Sequence, residues 1–218
     1  VSIVSIPGGS FCEETHTYRD DKGVWVPGLT SILALQGLSN GFGGADPAVI
    51  ENASRRGSEV HALVAAWIKY GDDGMDPTWE TEETSGYFSA AKSFINDTGF
   101  RPDPDIAEQP RIVTFHGMAF GLTPDAFGCR KPWPAVVEWK CTAAESKSWS
   151  LQTCAQEIGL FNSTICGRAK RMAVILKKDG KYKVCAHEDH AYDLQVFASA
   201  LTCVYYRLRQ GQRLWEVV

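Results

Sequence analysis

The chain has 218 residues, 44% of them hydrophobic and 22% charged, with a formal net charge of −4. That length and composition fit a globular domain with a sizeable core and exclude disorder, collagen and coiled coil. The longest clean apolar run, residues 62–68, is too short to span a bilayer, so no membrane partner is expected. The slight acidity gives no global attraction to nucleic acid, and a partner of that kind has to be met by a local patch. The opening residues Val1-Ser2-Ile3-Val4-Ser5-Ile6 lack a basic n-region and a full apolar stretch, which is not the pattern of a signal peptide. Seven cysteines, without a C-x-x-C pair, fit neither a disulfide framework nor a zinc ribbon. They read as reduced thiols of a cytoplasmic protein.

Taken in chain order, Thr15 to Arg19 and Val24-Trp25-Val26 flank the turn residues Asp21, Lys22 and Gly23, which predicts a hairpin. A short helix is expected over 30–36 and a glycine-rich loop over 37–44. Asp46-Pro47 is a helix start, a capping side chain followed by a proline whose missing N–H costs nothing at the first position. Val49, Ile50, Ala53, Val60, Val64 and Trp67 keep helical spacing to Tyr70. Gly57 interrupts this run at a cost of about 1 kcal/mol relative to Ala, and marks either a break or a close approach. A second helix is expected over 80–96. Beyond the proline-rich loop 101–105 the period changes, predicting short strands over 106–114, 120–127 and 135–141. A helix over 150–164, a hairpin of 171–176 with 182–185 and a last helix over 189–209 follow. The run His187-Glu188-Asp189-His190 reads first as the cap of that last helix, with chance metal binding as the lesser alternative. This order predicts an α/β fold with a central mixed β-sheet flanked by helices. It is expected as a single domain, with the hairpin and short helix in 1–45, a helical segment in 46–100 and the core in 101–218.

The informative chemistry lies in Gly121-Leu122-Thr123-Pro124-Asp125 and Glu138-Trp139-Lys140. Residues two apart in a strand share a face, so Glu138 and Lys140 emerge together while Trp139 points into a core. A turn over 128–134 lays the two strands antiparallel and brings Asp125 to the same patch. Two carboxylates suit a hard divalent cation, and a lysine beside it can orient water and stabilise developing charge. These are the parts needed to hydrolyse a phosphodiester. Taken alone, Glu138 and Lys140 read equally as an exposed pair on a strand, worth about 0–1 kcal/mol. His61, on a helix face with Val60, Val64 and Trp67, reads by itself first as a packed core histidine. A metal-free hydrolase using Asp125 and Glu138 as acid and base is a rival, weakened because Lys140 should lower the pKa of Glu138. Glu51, Glu59, Glu145 and Glu157 read as ordinary surface carboxylates.

As an ordered set, Pro124-Asp125, Glu138-Trp139-Lys140 behind Ala135-Val136-Val137, and Gln152 in a helix resemble the PD-(D/E)XK nuclease superfamily. The stretch from Arg55 to His61 is similar to the Gly-x-x-x-His element of its RecB-type exonuclease branch. Trp25-Val26-Pro27 ahead of Thr30-Ser31-Ile32-Leu33 is similar to phage-type members and to mitochondrial genome maintenance exonucleases. The resemblance implies a restriction-endonuclease-like core and a Mg²⁺- or Mn²⁺-dependent DNA nuclease, foremost an exonuclease of DNA repair or recombination. It implies Asp125, Glu138, His61 and the backbone carbonyl of Trp139 as metal ligands and Lys140 as the catalytic lysine. Gln152 matches the helix glutamine that holds the lysine or a phosphate, and Glu108 sits where some members place an extra acidic residue. The tyrosine common four residues after that glutamine is Gln156 here. No iron–sulfur cluster is expected, because Cys185 and Cys203 lack close cysteine neighbours.

DNA is the implied partner, with room for a recombination or replication protein beside it. Arg55, Arg56, Ser58 and Lys147 are the expected phosphate contacts. Trp149, Trp133 and Trp79, expected in loops, are candidates for stacking on unpaired bases. Arg168, Lys170, Arg171, Lys177, Lys178, Lys181 and Lys183 either line the same groove or solvate a hairpin edge. The alternative reading is a catalytically inactive nucleic-acid-binding module of the same fold.

Overall fold

The computed structural model describes residues 2–39, 46–142 and 144–216, so most of the expected loop 37–44 lies outside the described residues. The chain opens with β1 (Ile3–Ile6), β2 (Gly9–Cys12), β3 (Thr17–Asp20) and β4 (Trp25–Val26), followed by α1 (Leu29–Leu35). Two longer helices follow, α2 (Pro47–Tyr70) and α3 (Ser85–Thr98). Then come β5 (Arg101–Pro102), β6 (Arg111–Phe115), β7 (Met118–Leu122), β8 (Ala126–Arg130) and β9 (Trp133–Lys140). The chain continues through α4 (Ser148–Leu160), β10 (Lys170–Leu176), β11 (Tyr182–His187) and α5 (His190–Arg209).

These strands make a five-stranded sheet in the order β11-β10-β9-β8-β5, a four-stranded sheet β1-β2-β3-β4 and the pair β6-β7. In the five-stranded sheet β9 and β10 run parallel, joined through α4, and the other pairs are antiparallel. The fold is therefore α/β with a mixed sheet. Among the described residues no helix is long and apolar enough to cross a membrane.

The middle strand β9 explains the arrangement. Its residues Ala135 to Trp139 are all buried, as expected of a strand covered on both faces. Val137 and Trp139 join Met172, Val174 and Leu176 of β10 in a core closed by Val60 and Val64 of α2 and Phe88 and Phe94 of α3. The opposite face carries Glu138 and Lys140, in register with Ala173 and Ile175 of β10. There α4 lays Trp149 against Ala173 and Ile175. The far side of α4 packs Leu151, Ala155 and Ile158 against Ile32 and Leu33 of α1 and Phe197 and Leu201 of α5. So α4 is enclosed, and two adjacent polar residues on it, Gln156 and Glu157, are buried.

Several expectations shift. The strand expected over 120–127 is two strands in different sheets, β7 ending at Leu122 and β8 starting at Ala126. Between them Pro124 has no N–H for a ladder, and Asp125 is left at the junction. The strand expected over 106–114 is confined to β6, because residues 103–109 are tied into turns such as Ala107 N–H to Asp103 O. The helix expected from residue 80 starts at Ser85. Ahead of the expected first hairpin stands another, β1-β2, turned at Pro7-Gly8, where Gly8 has φ +87°. At Gly121 of β7 a Cβ would lie 2.2 Å from the Tyr18 ring, so only glycine lets β3 cross there.

Gly57 neither breaks α2 nor serves a close approach by the protein, since nothing lies within 4 Å of a Cβ built there. Gly57→Ala is expected to raise stability by about 1 kcal/mol, or roughly 2–4 °C in thermal melting.

Candidate metal centre

At the C-terminal end of β9, three side chains and one backbone carbonyl from four separate segments meet. His61 comes from the fifth turn of α2, Glu108 from the turn before β6, Asp125 from the β7–β8 junction and the Trp139 carbonyl from β9. His61 Nδ1 lies 3.2 Å from Glu108 Oε1 and 3.4 Å from Asp125 Oδ1. His61 Nε2 lies 3.0 Å from the Trp139 carbonyl oxygen. Asp125 Oδ2 accepts the Trp139 N–H at 2.7 Å, which pins the carboxylate to the strand. Glu108 is itself held in an unusual backbone conformation, φ +51°, with its N–H donated to Pro124 O. One donor atom each from His61, Glu108 and Asp125 falls within a mutual 4.8 Å. An imidazole and two carboxylates are a donor set for a divalent cation.

Both ring nitrogens of His61 face acceptors, so without a metal the ring is satisfied only as imidazolium. Burial opposes that charge, but Asp125 and then Glu108 outweigh it and hold the His61 pKa well above the ordinary value. Beside this group, Lys140 Nζ donates to Glu138 Oε1 at 2.8 Å and lies 5.8 Å from the centre of the Trp149 ring. Burial works against the Lys140 charge too, and Glu138 and Asp125 overcome it, raising its pKa. Burial and the facing Asp125 raise the pKa of Glu138 despite Lys140 and Gln156. Lys140 does lower it, as expected, but burial and Asp125 outweigh that pull, so the net shift does not weigh against the acid–base rival. Two buried carboxylates facing each other are a site that gains from a cation.

The sequence-derived residues divide as follows. His61, Asp125, the Trp139 carbonyl and Glu108 converge. Glu138 adjoins them, but its two oxygens are taken by Lys140 and by Gln156 Nε2 at 2.6 Å, and it is not part of the His61–Glu108–Asp125 group. The glutamine that reaches the site is thus Gln156, not Gln152. Gln152 Oε1 is buried without a hydrogen-bond partner among the described residues. The two are one turn apart on α4, and the i, i+4 spacing is the signal that could have flagged Gln156.

Trp149 is not a loop residue but sits in the first turn of α4, 5% exposed, beneath Lys140, so it presents no free stacking face. Trp79 and Trp133 remain about half exposed. Arg55 is paired with Glu59 and Glu83, and Arg56 lies over the Tyr87 ring with Glu83 at 3.6 Å. Ser58 and Lys147 are exposed. Arg171 leaves the basic run entirely, being buried and bonded to Asp193, and Glu157 is not a surface carboxylate but 0% exposed. Asp189 does cap α5, accepting the Tyr192 N–H.

No protein-family model matches this chain, and no curated protein does. Among solved structures, the crystal structure of SSO0001 aligns over 70% of this chain and 70% of its own, at 13% identity and a TM-score of 0.34, too slight a likeness to carry an argument.

Proposed function

We propose that this protein is a Mg²⁺- or Mn²⁺-dependent DNA nuclease with a restriction-endonuclease-like core, foremost an exonuclease acting on phosphodiester bonds. The observation that carries the reading is the convergence of His61, Asp125, Glu108 and the Trp139 carbonyl beside the Glu138–Lys140 pair. His61, Asp125, the carbonyl and Glu108 would hold the cation. When bound, it supplies a water of lowered pKa and positive charge toward the phosphate. Lys140, fixed by Glu138, would orient the attacking water and meet charge developing on the phosphoryl oxygens. Gln156 holds the second oxygen of Glu138, so Glu138 keeps one orientation toward Lys140.

The test is digestion of end-labelled single-stranded, double-stranded and circular DNA with Mg²⁺, Mn²⁺ or EDTA. Metal-dependent loss of linear substrate supports the reading, and resistance of the circle assigns an exonuclease. Cleavage that persists in EDTA points to the acid–base rival. Binding without cleavage under every metal points to the inactive module.

A pH dependence follows from His61. A cation has to displace the ring proton, so Mn²⁺ affinity should fall as pH drops, about tenfold per unit below the raised pKa. The stability of the metal-free protein runs the other way. His61 has a folded pKa above its unfolded value of about 6.5, so its contribution is complete below that pH and disappears as pH rises through the folded value. Calorimetric Mn²⁺ titrations and urea melts across pH 6–9 check both signs.

A further inference from the structure

A second cluster of ligating groups lies away from the centre at the end of β9. It joins α4, the loop after it and the start of α5. Glu157 Oε1 accepts the backbone N–H groups of Gly167, Arg168 and Ala169 at 2.8, 2.5 and 2.9 Å, leaving Oε2 turned inward. Oε2 accepts the Cys166 S–H at 2.6 Å and lies 3.8 Å from His190 Nδ1. Cys166 Sγ lies 3.7 Å from the same nitrogen. Buried Cys154 is a further thiol against Cys166, and it is the foremost cause raising the Cys166 pKa.

We propose that Glu157, Cys166 and His190 form a structural Zn²⁺ site, completed by Cys154 or a water. Tetrahedral ligation with Zn–N and Zn–O of about 2.1 Å and Zn–S of about 2.3 Å sets ligand atoms roughly 3.3–3.7 Å apart. The two separations from His190 Nδ1 are already near that range. The third, between Glu157 Oε2 and Cys166 Sγ, is shorter than that range and would have to open as the metal replaced the thiol proton. Charge points the same way. Glu157 and Asp193 are buried carboxylates sharing one guanidinium, Arg171, at 3.5 and 2.8 Å. His190 accepts from Arg171 Nε through Nδ1, so that nitrogen carries no proton, and the cluster holds one negative charge in excess. A dication with one thiolate neutralises it. Arg171 now occupies the His190 lone pair, but its other nitrogens keep Ser150 O and Asp193, so Nε can be released without stranding the guanidinium. The ligand set mixes sulfur and imidazole with one carboxylate, a choice for zinc over magnesium. Its spacing matches no zinc ribbon, because the ligands come from an enclosed helix, a loop and a helix start. Metal would staple the loop over 161–169 to both helices.

The test uses the full chain stripped of metal and titrated with Co²⁺ as a zinc probe. One equivalent should give thiolate-to-cobalt charge transfer and tetrahedral ligand-field bands, both displaced by Zn²⁺, and Zn²⁺ should raise the melting temperature by several degrees. Cys166→Ser and His190→Ala should each lose the bands and the shift, whereas Cys203→Ser, on the exposed face of α5, should keep them. Asp125→Asn should also keep them, so a failure of the nuclease reading leaves this result untouched. Absence of a thiolate-to-cobalt band, or a band that survives both Cys166→Ser and His190→Ala, overturns the proposal.

Discussion

Asp125→Asn is expected to lower metal-dependent DNA cleavage by at least about a thousandfold, since a metal's stabilisation of the transition state is worth several kcal/mol and each 1.36 kcal/mol is tenfold. Asparagine keeps the volume and one oxygen to accept the Trp139 N–H, so β9 should hold its register. What disappears is the charge facing His61 and Glu138. With that charge gone the donor set loses its only carboxylate that is both buried and pinned to the central strand. DNA binding, read by fluorescence anisotropy with Ca²⁺ replacing the active metal, should stay within about threefold of wild type, because phosphate contacts come from basic groups elsewhere. Cleavage at the wild-type rate would remove Asp125 from the chemistry and with it the proposed centre.

Arg171→Met is expected to destabilise the protein by about 3–5 kcal/mol, the usual effect of removing one partner from a buried ion pair. For a chain of this length that is a fall of roughly 6–20 °C in melting temperature. The guanidinium is fully buried and bonds Asp193, the Ser150 carbonyl and His190 while standing 3.5 Å from Glu157. Methionine fills the space but leaves two buried carboxylates with no counter-charge. Lys183→Met, which breaks an exposed pair with Glu145, should leave the melt near wild type. A melt for Arg171→Met as close to wild type would mean that the Glu157 and Asp193 charges are met by other groups.

Much of the architecture was legible because it is written in short-range periodicity. The spacing of Val60, Val64 and Trp67 marked α2, and the apolar lead-in before Glu138 marked the covered strand β9. The period of two also separated Trp139 from Glu138 and Lys140, which do occupy opposite faces of the sheet. The antiparallel pairing of β8 and β9 followed from the turn between them. The candidate residues His61, Asp125 and Glu108 were pointed to by the resemblance to the nuclease superfamily, and they meet although 47 residues of chain separate His61 from Glu108.

The sequence by itself determined which residues share a face of each helix or strand, because that depends only on backbone geometry a few residues long. Tertiary structure decided which faces meet and what each polar group finds there. Enclosing α4 on all sides buried Trp149 and Glu157, and its rotation sent Gln156 to Glu138 and left the Gln152 oxygen unpaired. Placing β10 inside the sheet turned Arg171 from one of a row of surface cations into the centre of a buried charge cluster. A cation's surroundings are set by segments distant in the chain, so no local pattern in 168–183 could distinguish Arg171 from the lysines beside it.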